Sequence, residues 1–432
     1  MNIVELAQLA KRASIRCAAL DADDRNRALS AITAGLKENC SAIVEANTKD
    51  IAQAQKDGLA PALLKRLKFD EAKISEACAC IESLIKLDDP VGRTLEAREL
   101  DAGLELYKVR CPIGVIGVIF ESRPDALVQV SSLCLKSGNA VLLKGGSEAS
   151  NTNRVLAQII SKATESSDIP AGWLGLLETR QDVNDMLGLD DYIDLIIPRG
   201  SNEFVKYIME HTNIAVLGHA DGICHVYIDG EADFDMALNI AVDSKCQYVA
   251  VCNAAETLLV DAAVAETFLP KLKEKLEEQG VEIRGCWKTV SIIGVKDATE
   301  EDWKTEYLDL IVSIKVVSGI GEAIEHINTY GSGHTDVIVT NNKETAAKFM
   351  KLVNSGDVFW NCSSRFSDGF RFGLGAEVGV STNKIHARGP VGLEGLLIYK
   401  WKLIGSGQIV GDYSGEKAKK FTHKKIDKDC EI

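Results

Sequence analysis

The hydrophobic positions of residues 1–86 repeat with helical spacing. Apolar side chains recur three or four residues apart, as at Leu29, Ile32 and Leu36, and charged residues occupy most positions between them. Such a pattern puts one apolar stripe on a helix of 3.6 residues per turn. The N-terminal segment is therefore predicted to form a series of amphipathic helices.

The pattern changes near residue 100, first to alternation and then to short apolar runs. Residues 99–114 alternate as in a strand or a hairpin. Continuous apolar runs then indicate buried strands, which are VIGVIF (115–120), AVLLKGG (140–146), LGLLE (174–178) and IDLIIP (193–198). Helical segments lie between these runs, and this alternation predicts an α/β fold with a doubly wound parallel sheet. Ligands bind such sheets at the carboxyl ends of the strands.

Further apolar runs predict a second block of strands later in the chain. They are 225–229, 257–260, 312–314, 336–340 and 358–361. A late pair of strands is expected over 395–407, apart from both blocks. With 432 residues, the chain is long enough for two or three domains.

Charge and hydropathy exclude several classes of partner. The net charge of −14 argues against nucleic acids and anionic lipid surfaces, which bind to basic faces. No apolar run approaches the roughly 20 residues of a membrane helix. The N-terminus carries Glu5 and has no small-residue cleavage site of the kind that ends a signal peptide. We therefore expect a cytoplasmic protein that acts on a small molecule.

The 12 cysteines are expected to be free thiols, because disulfide frameworks belong mainly to secreted proteins. Cys78 and Cys80 form the one close pair. A Cys-x-Cys pair without a second cluster is a poor zinc pattern, so no metal site is predicted.

Two strand ends carry residues that could hold a nucleotide. In IIPRGSNEFVKYI, the turn Arg199-Gly200-Ser201 precedes a helix whose free amides could bind a pyrophosphate. A helix cap alone would also explain Gly-Ser at this position. In LLKGGSEAS, the strand ends in Lys144, followed by Gly145 and Ser147.

Classical NAD sites place an acid on the ribose hydroxyls at the corresponding strand end. A lysine beside a small hydroxyl residue instead leaves room and charge for a 2′-phosphate. The motif therefore favours NADP(H), although a surface lysine before a turn is the alternative.

Two later segments could carry the chemistry. Cys252 follows a loop-like stretch and precedes a strand, where a thiol can act as a nucleophile. Most cysteines are instead inert core residues. The glycine-rich segment 370–396 is long enough to be functional, or it is a crossover between domains.

In order and spacing, these segments resemble the aldehyde dehydrogenase superfamily, and within it the gamma-glutamyl phosphate reductase family. The resemblance runs from the N-terminus to about residue 412. Its most specific part is VVSGIGEAIEHINTYGSGHTDVIV (316–339). The segments 120–125, 178–183, 217–229, 252–259 and 376–396 also follow the family pattern.

The resemblance implies roles for individual residues. Cys252 matches the catalytic cysteine, and Gly200 and Ser201 match the Gly-Ser pair beside the pyrophosphate. Lys144 matches the lysine at the adenosine ribose. Glu306 falls where the superfamily has a glutamate on the nicotinamide ribose, with a surface carboxylate as the alternative.

Two departures from the wider superfamily bear on mechanism. Oxidising members carry a general-base glutamate in Glu-Leu-Gly-Gly, where this chain has His219-Ala220-Asp221-Gly222. Loss of that base suits an enzyme that must keep water from a thioester. Ser122 stands where the superfamily has the asparagine that binds the oxyanion. The resemblance therefore does not identify the second oxyanion donor.

The activity implied by the resemblance is NADPH-dependent reduction of L-glutamate 5-phosphate to L-glutamate 5-semialdehyde in proline biosynthesis. It would proceed through a Cys252 thioester and release phosphate. Candidates for holding the substrate phosphate and carboxylate are Ser122, Arg123, Arg199, Arg365, Arg371 and Arg388. An acyl-coenzyme A reductase on the same scaffold and a non-catalytic protein of the same fold are the alternatives.

The resemblance also implies a division into domains. The cofactor domain would take residues 1–100 and 114–225, and the catalytic domain 226–389. A small oligomerisation arm would take 101–113 and 390–412. Because that arm has no core of its own, at least a homodimer is expected, and an association with glutamate 5-kinase is left open.

Overall fold

The computed structural model describes residues 1–200, 202–218 and 221–432, which separate into two units. One unit contains Met1–Gly200, Ile208–Val216 and Gly392–Ile432. The other contains 202–207 and the described part of Leu217–Val391.

The helices, in chain order, are α1 Ile3–Cys17, α2 Ala22–Glu38, α3 Cys40–Lys56, α4 Pro61–Leu67, α5 Glu71–Ile85, α6 Pro124–Lys136, α7 Ser150–Thr164, α8 Arg180–Met186, α9 Asn202–Glu210, α10 Phe234–Cys246, α11 Ala262–Glu278, α12 Trp287–Ile293, α13 Ile320–Tyr330 and α14 Lys343–Leu352. The strands are β1 Thr94–Asp101, β2 Leu104–Pro112, β3 Val115–Ile119, β4 Ala140–Lys144, β5 Leu174–Leu177, β6 Leu195–Pro198, β7 Ala215–Val216, β8 Cys224–Ile228, β9 Ala255–Asp261, β10 Glu282–Gly285, β11 Lys296–Asp297, β12 Ile311–Val317, β13 Thr335–Val339, β14 Asp357–Trp360, β15 Gly379–Ser381, β16 Gly389–Val391, β17 Leu397–Ile404 and β18 Lys424–Lys425.

The predicted N-terminal helices are confirmed as α1–α5. Polar residues fix where they begin: Asn2 and Glu5 form a capping box on α1, and Asp21 and Asp70 cap α2 and α5. Their apolar stripes are buried, as at Leu29, Ile32 and Leu36 of α2.

The first unit contains the predicted doubly wound sheet. Its strands are parallel, in the order β5-β4-β3-β6-β7. β3, β4 and β6 are buried along their whole length, as their continuous apolar sequences predict. Because the strands are parallel, the segments that follow β3, β4 and β6 share one edge of this sheet.

The second unit is built on another parallel sheet, in the order β11-β10-β12-β9-β8-β13-β14. Its core packs α10 and α11 against these strands, with Phe268, Leu272 and Ile314 fully buried. The strands predicted in the later block are all present.

An antiparallel sheet in the first unit has the order β17-β2-β1-β18. The prediction of a late strand pair over 395–407 is wrong, because that segment contains one strand, β17. It pairs along its length with β2, from Leu397 opposite Pro112 to Ile404 opposite Glu105. The sequence LIYKWKLI has no turn-forming residue, so it cannot fold back on itself.

All 12 cysteines lie in the described residues and have free thiols. Within the described ranges, no helix is long and apolar enough to cross a membrane.

Candidate active site

The thiol of Cys252 lies beside a histidine ring in the second unit. Its Sγ is 3.2 Å from Nε2 of His334. Cys252 precedes β9 and His334 precedes β13, and these strands flank β8 in the sheet. The parallel order therefore brings both residues to the amino edge of this sheet, although 82 positions separate them in sequence.

Two neighbours hold the histidine and the cysteine in place. Nδ1 of His334 is 2.7 Å from the hydroxyl of Thr335, and the residue is only 1% exposed. The thiol of Cys224 donates to the carbonyl oxygen of Cys252 at 3.1 Å. Burial raises the pKa of Cys224 well above its ordinary value, so this thiol keeps its proton and serves as a donor. Cys252 itself is partly exposed.

Gly222 is required by the turn that carries the thiol. A Cβ at this position would lie 2.3 Å from the carbonyl oxygen of Cys252 and 2.5 Å from its Cα. Gly222 is the last residue of the segment His219-Ala220-Asp221-Gly222. His219 and Ala220 of that segment lie outside the described residues.

The turn Ser364–Phe366 is hydrogen-bonded to Asn253, the residue after Cys252. The hydroxyl of Ser364 donates to the carbonyl oxygen of Asn253 at 2.6 Å, and the Asn253 amide donates to the Ser367 carbonyl oxygen at 2.6 Å. This contact holds Arg365, which is 8% exposed, beside the segment that carries Cys252. Burial and the charge of Arg371 lower the pKa of Arg365, whereas Cys252 raises it.

The other substrate candidates have partners elsewhere. In the second unit, Arg371 pairs with Asp368 at 3.4 Å, and Arg388 donates to the carbonyl oxygens of Thr382 and Asn354. Ser122 and Arg123 belong to the first unit. There the hydroxyl of Ser122 donates to Glu148 at 2.7 Å, and Arg123 pairs with Asp125 at 2.8 Å.

A buried ion pair joins the elements on either side of residues 247–254, the cysteine turn, which carries Cys252. Lys245, near the end of α10, lies 2.6 Å from Glu256 of β9, and both side chains are 0% exposed. The amide of Leu308 also donates to Glu256 at 3.3 Å. Burial raises the pKa of Glu256 to about 7, and Lys245 acts in the opposite direction. Lys245 therefore favours the ionised form of the buried Glu256 side chain.

In the first unit, Lys144 is the last residue of β4, and the residues that follow it line a small pocket. Its side chain is buried, and its ammonium donates to the carbonyl oxygen of Gly145. Burial lowers the pKa of Lys144, and Glu148 opposes this effect. Ser147 begins the short 3₁₀ turn Ser147–Ala149.

The pocket after β4 contains glycine backbone and one polar side-chain atom without a partner among the described residues. The pocket is lined by Gly145, Gly146, Ser150, Asn153, Leu176, Leu177 and Glu178. A Cβ on Gly145 would meet the Asn153 amide at 2.1 Å, so only glycine leaves the space open. Among the described residues, the buried Oδ1 of Asn153 has no hydrogen-bond partner and can accept from a ligand. Glycine backbone and an unpaired amide oxygen are groups that a ligand can use, and Lys144 precedes this lining in the chain.

The remaining cofactor candidates lie on both units. Arg199 and Gly200 follow β6 on the same edge of the first sheet as Lys144, and the Arg199 amide donates to the carbonyl oxygen of Ile119 at 2.7 Å. Ser201 lies outside the described residues. In the second unit, Glu306 accepts from the side-chain amide of Asn202, the first residue of α9, at 2.8 Å.

Comparison with known proteins shows the family to which this chain belongs. Residues 1–291 match the sequence profile described as the aldehyde dehydrogenase family. A gamma-glutamyl phosphate reductase from Acetivibrio thermocellus is 64% identical over 99% of this chain and 99% of its own length. The chain belongs to the gamma-glutamyl phosphate reductases of the aldehyde dehydrogenase family.

Further members of the family agree with this assignment. The gamma-glutamyl phosphate reductase of Pelotomaculum thermopropionicum is 63% identical over 100% of this chain and 99% of its own. The crystal structure of the Thermotoga maritima gamma-glutamyl phosphate reductase matches with a TM-score of 0.93 at 40% identity, covering 95% of this chain and 100% of that one. The predicted fold class, aldehyde dehydrogenase-like α/β, is confirmed.

The sequence predicts no role for several residues near Cys252. His334 lies in the family-like segment 316–339 without a predicted role of its own, and none is predicted for Cys224, Lys245 and Glu256, or for Asn153 of the first unit. His334 carried one local indication, since it lies in the polar stretch Gly-His-Thr-Asp directly before a buried strand. The others become visible only through contacts between distant segments.

Proposed function

We propose that this chain catalyses NADPH-dependent reduction of L-glutamate 5-phosphate to L-glutamate 5-semialdehyde, with release of phosphate, in proline biosynthesis. The observation that carries the proposal is the partly exposed Cys252 thiol held against a buried histidine, in a chain whose full-length relatives bear the reductase name. The segment 219–222 contains no glutamate, which agrees with an acyl-enzyme protected from hydrolysis.

Cys252 would act as the nucleophile. Its sulfur attacks the acyl carbon of the acyl phosphate, phosphate leaves, and a thioester on Cys252 remains. The backbone amide of Cys252 is the natural donor to the oxyanion in the tetrahedral intermediate. The bound nicotinamide cofactor supplies the hydride that reduces the thioester to the aldehyde.

Arg365 is our first choice for the substrate phosphate or carboxylate. It is buried near Cys252, and its Nε donates to Gln247 at 3.0 Å, which orients the remaining guanidinium donors. Arg388 donates to two backbone carbonyl oxygens, which fits a role in shaping its own loop better than one in binding the substrate. Ser122, Arg123 and Arg371 stay secondary candidates.

For the cofactor we propose NADP(H), bound by Lys144, Gly145, Ser147, Arg199, Gly200 and Ser201, with Glu306 on the nicotinamide ribose. The supporting feature is a buried lysine at the end of β4, where NAD sites keep an acid. Its charge would meet the 2′-phosphate.

Replacing Lys144 with methionine is expected to lower kcat/KM for NADPH by about 10- to 100-fold, the usual cost of one charge-assisted hydrogen bond. The value for NADH should change little, because NADH lacks the 2′-phosphate. Steady-state kinetics with both nucleotides measure this. Lys162→Met, an exposed lysine on α7, is the matched control. Equal losses with both nucleotides, or a wild-type preference for NADH, would contradict the assignment.

The activity itself is tested in the reverse direction. Purified protein should reduce NADP only when both glutamate 5-semialdehyde and inorganic phosphate are present. Activity that needs coenzyme A instead of phosphate would replace the proposal with the acyl-coenzyme A alternative.

We also propose that the protein is a homo-oligomer, at least a dimer. Within the described residues, β17 is an edge strand of its sheet and exposes Tyr399, Trp401 and Leu403, each about half accessible. An exposed apolar edge strand is a surface that proteins normally cover. Sedimentation of the purified chain as a monomer at every concentration would contradict the proposal.

A further inference from the structure

His334 and Cys252 lie close enough to exchange a proton. Nε2 points at the reacting sulfur at 3.2 Å, and the hydroxyl of Thr335 holds Nδ1 at 2.7 Å. The ring is nearly inaccessible, whereas the thiol is partly exposed. The substrate can therefore approach the sulfur from the open side while the ring contacts it from the buried side.

We propose that His334 is the catalytic acid–base of this site, which removes the proton of Cys252 and returns protons to the leaving groups. The assignment rests on the proposed function for its substrate, but its first step needs only the two side chains. The segment 219–222 contains no glutamate, so the proton of the Cys252 thiol has to be taken by another residue.

In the first half-reaction, His334 passes the proton of the Cys252 thiol to the leaving phosphate. Nε2 takes the proton of Cys252, and the thiolate forms a bond to the acyl carbon of the acyl phosphate. The bond between that carbon and the phosphate oxygen then breaks. The imidazolium gives the proton to the departing oxygen, so the product leaves as hydrogen phosphate and His334 is neutral again.

The second half-reaction uses the same nitrogen. The bound nicotinamide cofactor would supply a hydride to the thioester carbon, and the resulting oxyanion would re-form a carbonyl as the carbon–sulfur bond breaks. The sulfur leaves as thiolate, and Nε2 protonates it with a proton taken from solvent. The aldehyde is released and Cys252 is a thiol, as at the start.

The surroundings of the ring are consistent with this role. With its proton on Nδ1, against the hydroxyl of Thr335, the ring presents Nε2 to the thiol as the acceptor. Cys224 on β8, whose Sγ is 3.8 Å from Nδ1, stays protonated and adds no charge. Asp336 of β13 is engaged by the amide and Nδ1 of His225, both at 2.9 Å. Arg365 interacts with Cys252, and its cation favours the thiolate. Asp336 and Glu256 act on the neighbouring Cys224, and Glu256 is paired with Lys245.

The test is the pH dependence of Cys252 alkylation by iodoacetamide, followed by peptide mass spectrometry, without substrate or nucleotide. In His334→Gln, the rate at about pH 7 should fall by about 10- to 100-fold, and the deficit should disappear at about pH 10, where thiols ionise unaided. His326→Gln removes another buried histidine of the same unit and should leave the profile in place. A purely structural role would lower the rate at every pH without moving the profile.

A second variant keeps the ring in place. Thr335→Val removes the hydroxyl beside Nδ1 and should move the alkylation profile in the same direction as His334→Gln, by a smaller amount. In turnover, His334→Gln should lower kcat by about 10²- to 10⁴-fold with little change in KM. Alkylation profiles of both variants that coincide with wild type would overturn the proposal. If the profiles move as expected but wild-type turnover does not require phosphate, the proton transfer stands and the proposed function fails.

Discussion

Replacing Cys252 with alanine is expected to remove turnover while the fold and nucleotide binding are kept. The covalent route ends without the sulfur, and loss of a nucleophile typically costs about 10⁴-fold or more in kcat. Cys252 lies in a partly exposed turn rather than in a packed core, so removing its sulfur leaves little cavity. Phosphate-dependent NADP reduction measures the loss, and nucleotide-binding fluorescence with thermal unfolding shows that the rest of the protein is intact.

Cys80 provides the matched control for this experiment. It is an exposed thiol on α5, and Cys80→Ser should keep wild-type turnover. A Cys252→Ala enzyme within about tenfold of wild type would refute the covalent route.

Replacing Lys245 with methionine is expected to be the most destabilising of these changes. Lys245 and Glu256 are both inaccessible, so the variant leaves a buried carboxyl without its counter-charge. Breaking such a pair by removing one partner costs about 3–5 kcal/mol. Urea unfolding at about pH 8 measures this decrease in the free energy of unfolding. The cysteine turn between the two residues should loosen as well.

The free energy of unfolding of Lys245→Met should depend on pH through the ionisation of Glu256. Burial already raises the pKa of Glu256 to about 7 in the presence of Lys245, and removing the lysine raises it further. A carboxyl whose folded pKa exceeds its unfolded pKa lowers stability progressively as the pH rises from about 4.5 to the folded pKa. The deficit of Lys245→Met should therefore be smaller at about pH 6 than at about pH 8.

The double variant Lys245→Met, Glu256→Leu controls for this interpretation. It replaces the whole pair with apolar side chains and should recover most of the lost stability, since such replacements are often neutral. If the double variant were as unstable as the single one, packing rather than the unpaired carboxyl would explain the loss.

Local patterns were sufficient for most of the fold. The periodicity around Leu29, Ile32 and Leu36 gave a helix, and the continuous runs before Phe120 and Gly145 gave buried strands, because both depend on residues close in sequence. The prediction of a strand pair within 395–407 is wrong because the partner of β17 is β2, which lies almost 300 positions earlier in the chain. Alternation shows that a segment is extended but does not identify its partner.

The candidate site was less accessible to sequence reasoning. Cys252 stood out among 12 cysteines only through the family resemblance, since its local sequence is ordinary. Its contact with His334 depends on the order of β9, β8 and β13 in the sheet, which periodicity does not reveal. For the same reason the sequence left the arginines unranked, whereas Arg365 is the one buried against the cysteine turn.

The most direct test of the account is whether the sulfur of Cys252 carries a glutamyl group. Protein mixed with NADP and glutamate 5-semialdehyde without phosphate should release a burst of NADPH that matches the number of active sites. Mass spectrometry should then find the glutamyl adduct on the peptide that contains Cys252, and added phosphate should discharge it. Phosphate-dependent turnover without a burst and without any adduct at Cys252 would contradict the account.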